Sequence, residues 1–76
     1  MAELLTYLAQ RLVDDPKAVR VEEEERGDTL VLRLHVAKED VGKVIGRQGR
    51  IARALRAIVR AGGARERRRL ILEIAD

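Results

Sequence analysis

The 76-residue chain contains no cysteine, serine, asparagine, tryptophan or phenylalanine, and only one tyrosine, one histidine and one proline. Each gap closes off a class of chemistry. Without cysteine there is no disulfide staple, no zinc cage and no thiol nucleophile. Without serine or cysteine, and with His35 alone, no nucleophile–base pair assembles, so neither an enzyme nor a metal or cofactor site is expected. The longest apolar runs are only a few residues, so neither a membrane span nor a signal peptide is expected. A single cytoplasmic domain over 1–76 is the expectation, near the size where one core barely suffices. With Tyr7 as its sole aromatic, the chain also lacks the rows of rings on which bases stack.

What is present is charge, unevenly placed. Residues 1–42 carry six Lys/Arg against ten Asp/Glu, a net of −4; residues 43–69 carry ten Lys/Arg against Glu66 alone, a net of +9; the last seven add −2, giving the total of +3. A uniformly solvated surface mixes its signs, so a basic half points to an anionic partner. Nucleic acid fits better than a membrane, because no basic amphipathic helix with bulky aromatic anchors is present. Thirteen arginines against three lysines, with no asparagine, are compatible with a thermophilic source and equally with GC-rich coding.

Along the chain, Leu4, Leu5, Leu8, Leu12 and Val13 recur at helical spacing over residues 2–13, and Asp14-Asp15-Pro16 ends that helix. Tyr7 is expected at its edge. A first strand runs from Ala18 to Arg26 with Val19 and Val21 on one face. The run of glutamates at 22–25 invites a metal reading, but successive strand side chains point to opposite faces and cannot converge on one ion. It reads instead as a solvated strand that resists aggregation. Arg26-Gly27-Asp28 turns the chain into a second strand, Thr29 to Val36. There Leu30, Leu32, Leu34 and Val36 face one way, and Val31, Arg33 and His35 face the other, His35 toward water.

Lys38, Glu39 and Asp40 open a short helix that runs to Ile45. A longer helix follows Gly49, with Ile51, Ala54, Leu55 and Ile58 on one side and Val59 at the edge. Arg53, Arg56 and Arg60 lie opposite, and Gly62-Gly63 is expected to cap it. Residues 64–69 read as a basic connector before a final strand, in which Leu70, Leu72 and Ile74 alternate with Ile71 and Glu73. The order α-β-β-α-α-β implies an α+β fold, one three-stranded sheet with helices packed on one face.

The stretch from Val41 to Ile51 holds three of the six glycines, with Arg47 and Gln48 between Gly46 and Gly49. Closely spaced glycines flanked by cations let a backbone approach phosphate. A Walker loop needs lysine and a hydroxyl after its last glycine, and neither follows Gly49. A dinucleotide fingerprint needs its glycines between strand and helix, whereas these fall between two helices. A plain helix–helix turn remains as the alternative, though such turns rarely place two glycines around an Arg-Gln pair beside Lys43 and Arg50.

The octapeptide Val44-Ile45-Gly46-Arg47-Gln48-Gly49-Arg50-Ile51 resembles the signature of the KH domain, an RNA-binding module, and the element order resembles its bacterial, type II arrangement. The similarity covers nearly the whole chain. The leucine-rich first helix, Leu12-Val13-Asp14-Asp15-Pro16, Glu39-Asp40-Val41-Gly42-Lys43 and Arg53-Ala54-Leu55-Arg56 all resemble the small bacterial single-KH proteins, with Lys38 standing where proline is expected. The resemblance implies a clamp on about four single-stranded nucleotides. In it Gly46 and Gly49 give close approach, Arg47, Gln48 and free N–H groups near Arg50 meet phosphate, and Lys43 and Arg53 extend the cationic rim. The bases would lie on an aliphatic floor sought among Val41, Val44, Ile45 and Ile51, of which Ile45 and Ile51 also read as core. Arg53 is assigned to contact because it lies one turn from the loop; Arg56 and Arg60 are assigned to solvent.

The missing rings weaken such a clamp, since base–aromatic stacking is worth roughly 1–3 kcal/mol per base. Weak binding with little sequence preference is expected, and a second binding surface with it, because linking two modules raises avidity roughly 10²–10⁴-fold. The resemblance implies how: a homodimer, or a heterodimer with a larger KH-containing RNA-binding protein of the KhpB (Jag) type. It also implies an RNA chaperone or post-transcriptional regulator associated with cell-envelope and cell-length control. A protein-interaction adaptor with the same fold and a single-stranded DNA binder stay open.

Overall fold

The strand with the cleanest alternation lies at the centre of the sheet. In the computed structural model, which describes residues 1–75, β2 (Thr29–His35) pairs antiparallel with β1 (Arg20–Arg26) and parallel with β3 (Arg69–Ile74), in the order β1-β2-β3. Gly27, at φ 64°, allows the tight two-residue turn between β1 and β2. The parallel β2–β3 pair needs a crossover, supplied by α2 (Val41–Ile45) and α3 (Arg50–Glu66), while α1 (Ala2–Leu12) precedes the sheet. The three helices pack on one face, as the single-sided alternation implies.

The register explains the layering. Rows such as Glu23–Leu32–Leu72 and Val21–Leu34–Ile74 face the helices, and the intervening rows face away. Leu30, Leu32, Leu34, Leu70 and Leu72 meet Leu5 and Ala9 of α1, Val44 of α2, and Leu55 and Val59 of α3 in one core. The outward face is laced with ion pairs. Arg33 donates to Glu73 (3.0 and 3.1 Å) and to Glu24 (3.3 Å), and Arg26 donates to Glu24 (2.9 Å). Val31 is buried in the middle of this face, between Glu24 and Ile71 in the register. His35 does not merely meet water: it is half-buried with Nε2 against Glu22. The four glutamates at 22–25 alternate between the two faces.

Two helices differ from their sequence reading. In α1 the buried positions are Leu5 and Ala9, while Leu4 is 46% exposed, so the buried stripe is rotated away from Leu4. In α3 the buried positions are Ala52, Leu55, Val59 and Gly63, and the helix runs through Gly62-Gly63 to Glu66, absorbing half of the expected connector. The reason is a close approach. A Cβ on Gly63 would lie 2.6 Å from the Arg68 carbonyl oxygen and 3.1 Å from the Leu70 nitrogen, so glycine lets the start of β3 fold back against the helix. The cap lies further on: Arg68 N–H donates to Gly63 O (3.0 Å) and Arg67 N–H to Ala64 O (3.4 Å), with Arg67 left-handed at φ 56°. Among the described residues no helix is long and apolar enough to cross a membrane.

Candidate functional site

The glycine loop is built by two different demands for glycine. Gly46 ends α2 at φ 77°, ψ 172°, and its N–H closes on Gly42 O at 2.9 Å. A Cβ there would lie 2.3 Å from Ile51 Cγ1, so space as well as backbone excludes a side chain. Gly49 needs glycine only for its left-handed φ of 74°, because open space surrounds it. Between them Gln48 is itself left-handed (φ 58°, ψ 24°), and Arg50 Nη2 donates to its Oε1 at 3.4 Å. Strain of this kind persists where the surroundings fix the loop in advance.

The loop delivers the chain to the first turn of the 17-residue α3, the positive end of its dipole. Arg47, Gln48 and Arg50 are all exposed around it. The amides of Gly49 and Arg50 already donate to Gly46 O (3.1 Å) and Arg47 O. The Arg50 amide is therefore engaged, while Arg47 and Gln48, the first residues of the 3₁₀ turn, have no acceptor within that turn.

Lys43 is placed differently from the rest of the rim. Its ammonium donates to Asp40 Oδ1 (3.1 Å) and pairs with Asp14. Asp40 is only 2% exposed, and its Oδ2 accepts the Asp15 amide at 3.0 Å. Burial pushes the Asp40 carboxyl up, but the Asp15 amide, the Lys43 ammonium and the Asp14 amide outweigh it and hold the carboxyl below its ordinary value. The Asp14 and Asp40 carboxylates in turn raise Lys43. This cluster ties the start of α2 to the segment after α1. Nothing in the local sequence signals it, because Asp14 and Lys43 are 29 positions apart.

The expected aliphatic floor is not one surface. Val44 is fully buried in the core, Ile45 is 38% exposed beside the loop, and Val41 lines a hollow with His35, Val36, Lys38 and Ala75. Ile51 lies under Gly46 and opens on a groove of about 370 Å³ between α1 and α3, walled by Leu8, Leu12, Ala54, Leu55 and Ile58 with Arg11 and Arg50. Tyr7 sits at the edge of α1, exposed, with the Arg11 guanidinium 5.9 Å from its ring centre. Arg53, Arg56 and Arg60 are exposed, and Arg56 and Arg60 also line a groove with Arg69, Leu70, Ile71 and Leu72. No sequence pattern marks that groove, because it depends on β3 lying at the sheet edge beside α3.

Comparison with known proteins places this architecture. The family model described as KhpA/KhpB, KH domain, matches residues 2–74. The chain is 49% identical over 74 residues to the RNA-binding protein KhpA of Caldanaerobacter subterraneus subsp. tengcongensis, covering 97% of this chain and 99% of that one. It is 46% identical over 76 residues to the protein of the same name from Halalkalibacterium halodurans, covering all of both. Among solved structures, Aquifex aeolicus Era superposes with a TM-score of 0.64 at 20% identity, covering 96% of this chain and 28% of that one. A structure of Era in complex with MgGDPNP and nucleotides 1506–1542 of 16S ribosomal RNA matches equally well. At that identity the likeness concerns the fold alone.

Proposed function

Because the chain belongs to the KhpA/KhpB KH-domain family, we propose that it binds single-stranded RNA, clamping a few nucleotides against the Gly46–Gly49 loop. The observation that carries this reading is the loop itself: two glycines and a left-handed Gln48 hold a bare backbone at the N-terminus of α3, ringed by Arg47, Arg50 and Arg53. Gly46 and Gly49 give the strand's backbone its close approach, and the Arg47 and Gln48 amides with the helix dipole receive phosphate. Ile45 and Ile51 supply aliphatic surface on either side. Lys43 serves by fastening α2 in place, its charge already met by two carboxylates. The relatives' names, RNA-binding protein KhpA, support RNA as the ligand.

The same reading makes the single domain a weak binder, since no aromatic platform accompanies the loop. The working form is then a pair, either two copies or one copy with a larger KH-containing protein, acting as an RNA chaperone or post-transcriptional regulator. The aliphatic α1–α3 groove, with Ile58 38% exposed in it, supports such an association. A salt titration of RNA binding tests the clamp: log Kd is expected to rise steeply with log salt, by about 0.7 for each phosphate neutralised on a single strand. A flat response contradicts it, and equal competition by DNA of the same sequence moves the reading to single strands in general. Sedimentation velocity on the same sample tests the pairing of two copies: a monomer at micromolar concentration with and without RNA contradicts it and leaves the pair with a larger KH-containing protein.

A further inference from the structure

Among the described residues Asp40 is the only polar or charged side chain that is buried. It occupies the N-cap position of α2, where an aspartate ordinarily accepts an amide of its own first turn. It makes no such bond. Instead Oδ2 accepts the Asp15 amide at 3.0 Å, the Asp14 amide also reaches the carboxylate, and Oδ1 accepts the Lys43 ammonium at 3.1 Å. The carboxylate is therefore turned away from the first-turn amides and toward the segment that follows α1. Forgoing the cap weakens a helix of only five residues, and burying a carboxylate is costly unless it is fully paired. An aspartate that served α2 alone would cap it locally.

The glycine loop hangs from the far end of this short helix. Gly46 N–H closes on Gly42 O at 2.9 Å, and Gln48 is held left-handed beyond it. Val44 anchors α2 in the core, and Asp40 anchors its start. These two points fix the helix, and the place of the loop over the start of α3 follows from them. We propose that Asp40 is a positioning residue for RNA: by tying α2 to Asp14 and Asp15 it sets the Gly46–Gly49 loop in its binding geometry before a strand arrives. Folding then bears the ordering cost that binding would otherwise carry. Asp40 itself touches no nucleotide. The inference rests on the clamp reading, because it is the loop that Asp40 positions.

The test is the Kd of the full chain for an oligouridylate, measured well below the thermal midpoint with circular dichroism confirming the fold. It compares the wild type, Asp40→Asn, and Leu5→Val, a core change in α1 that leaves the tie intact. Asp40→Asn removes an anion from the helix that carries the loop, so charge alone predicts tighter binding. A role confined to stability predicts no change while the chain stays folded, as is expected of Leu5→Val. Positioning predicts the opposite sign to charge: Asp40→Asn is expected to bind roughly three- to tenfold more weakly. Its salt slope is expected to stay unchanged, because no phosphate contact is lost. In hydrogen exchange the Gly46 amide is expected to speed up by more than the β2 amides do. Asp40→Glu keeps the charge but lengthens the tie, and it is the second variant should Asp40→Asn not fold; it too is expected to weaken binding. A folded variant at position 40 that binds as tightly as the wild type, or more tightly, overturns the proposal. If Arg47→Asp leaves binding unchanged, the clamp reading itself has failed, an outcome separate from any result at Asp40.

Discussion

Among the described residues Gln48 and Arg67 are the two non-glycine ones with positive φ, and they stand at opposite ends of α3. Gln48 is held by the glycine loop and by Arg50, so its strain belongs to the site. Arg67 caps the helix where glycine is the usual occupant. Relieving left-handed strain is worth roughly 1–2 kcal/mol, partly offset by the backbone entropy glycine loses on folding. Arg67→Gly is therefore expected to stabilise the protein by about 0.5–1 kcal/mol in urea unfolding; a lower midpoint contradicts the cap assignment. Glycines show what a sequence does and does not disclose at this scale. Spacing and neighbouring cations marked Gly46 and Gly49 as a loop, but the Gly62-Gly63 pair read as a helix end. The pattern of residues is the same whether glycine stops a helix or admits a passing strand, and only the Arg68 carbonyl beside Gly63 decides it.

Among the elements, strands were legible and helix faces less so. Leu30, Leu32 and Leu34 fell on the buried side because strand alternation has no slack. The buried side of α1 turned from Leu4 toward Ala9, a small residue that periodicity of large apolar side chains undervalues. The tie between α2 and the segment after α1 was invisible because it joins Asp14, Asp15, Asp40 and Lys43 across 29 positions of sequence. It carries a testable consequence. Lys43→Met is expected to lower the thermal midpoint while leaving the salt slope of RNA binding unchanged, whereas loss of a phosphate contact lowers that slope by about 0.7. The depressed Asp40 carboxyl contributes stability that is present above the ordinary aspartate value, about 3.9, and is lost as pH falls through its lower folded value. Asp40→Asn is thus expected to flatten the acid limb of the stability profile, read from urea midpoints between neutral pH and about pH 2. An unchanged limb contradicts the tie.

At the scale of the molecule, the charge split of the sequence becomes a division of labour between faces. Glu24 from the acidic first half and Glu73 from the last strand neutralise Arg26 and Arg33 on the outer sheet face. The basic segment from 43 to 69 contains the loop, α3 and the start of β3, and most of its arginines meet no carboxylate among the described residues. The overall architecture and the loop were therefore readable from composition and order; the grooves beside α3 were not, because they arise only from packing. The structure also selects how the loop should be tested. An acid at Gly46 would collide with Ile51, so loss of binding there would report misfolding. Arg47 and Gln48 are exposed, and aspartate is well tolerated in the left-handed conformation at 48. The decisive measurement is the Kd of the full chain for a single-stranded RNA, wild type against Arg47→Asp/Gln48→Asp, at one salt concentration and with the thermal midpoint recorded. The expected result is an unchanged midpoint with affinity lower by at least about tenfold, or 1.4 kcal/mol; a folded double variant that binds RNA as tightly as the wild type contradicts the clamp.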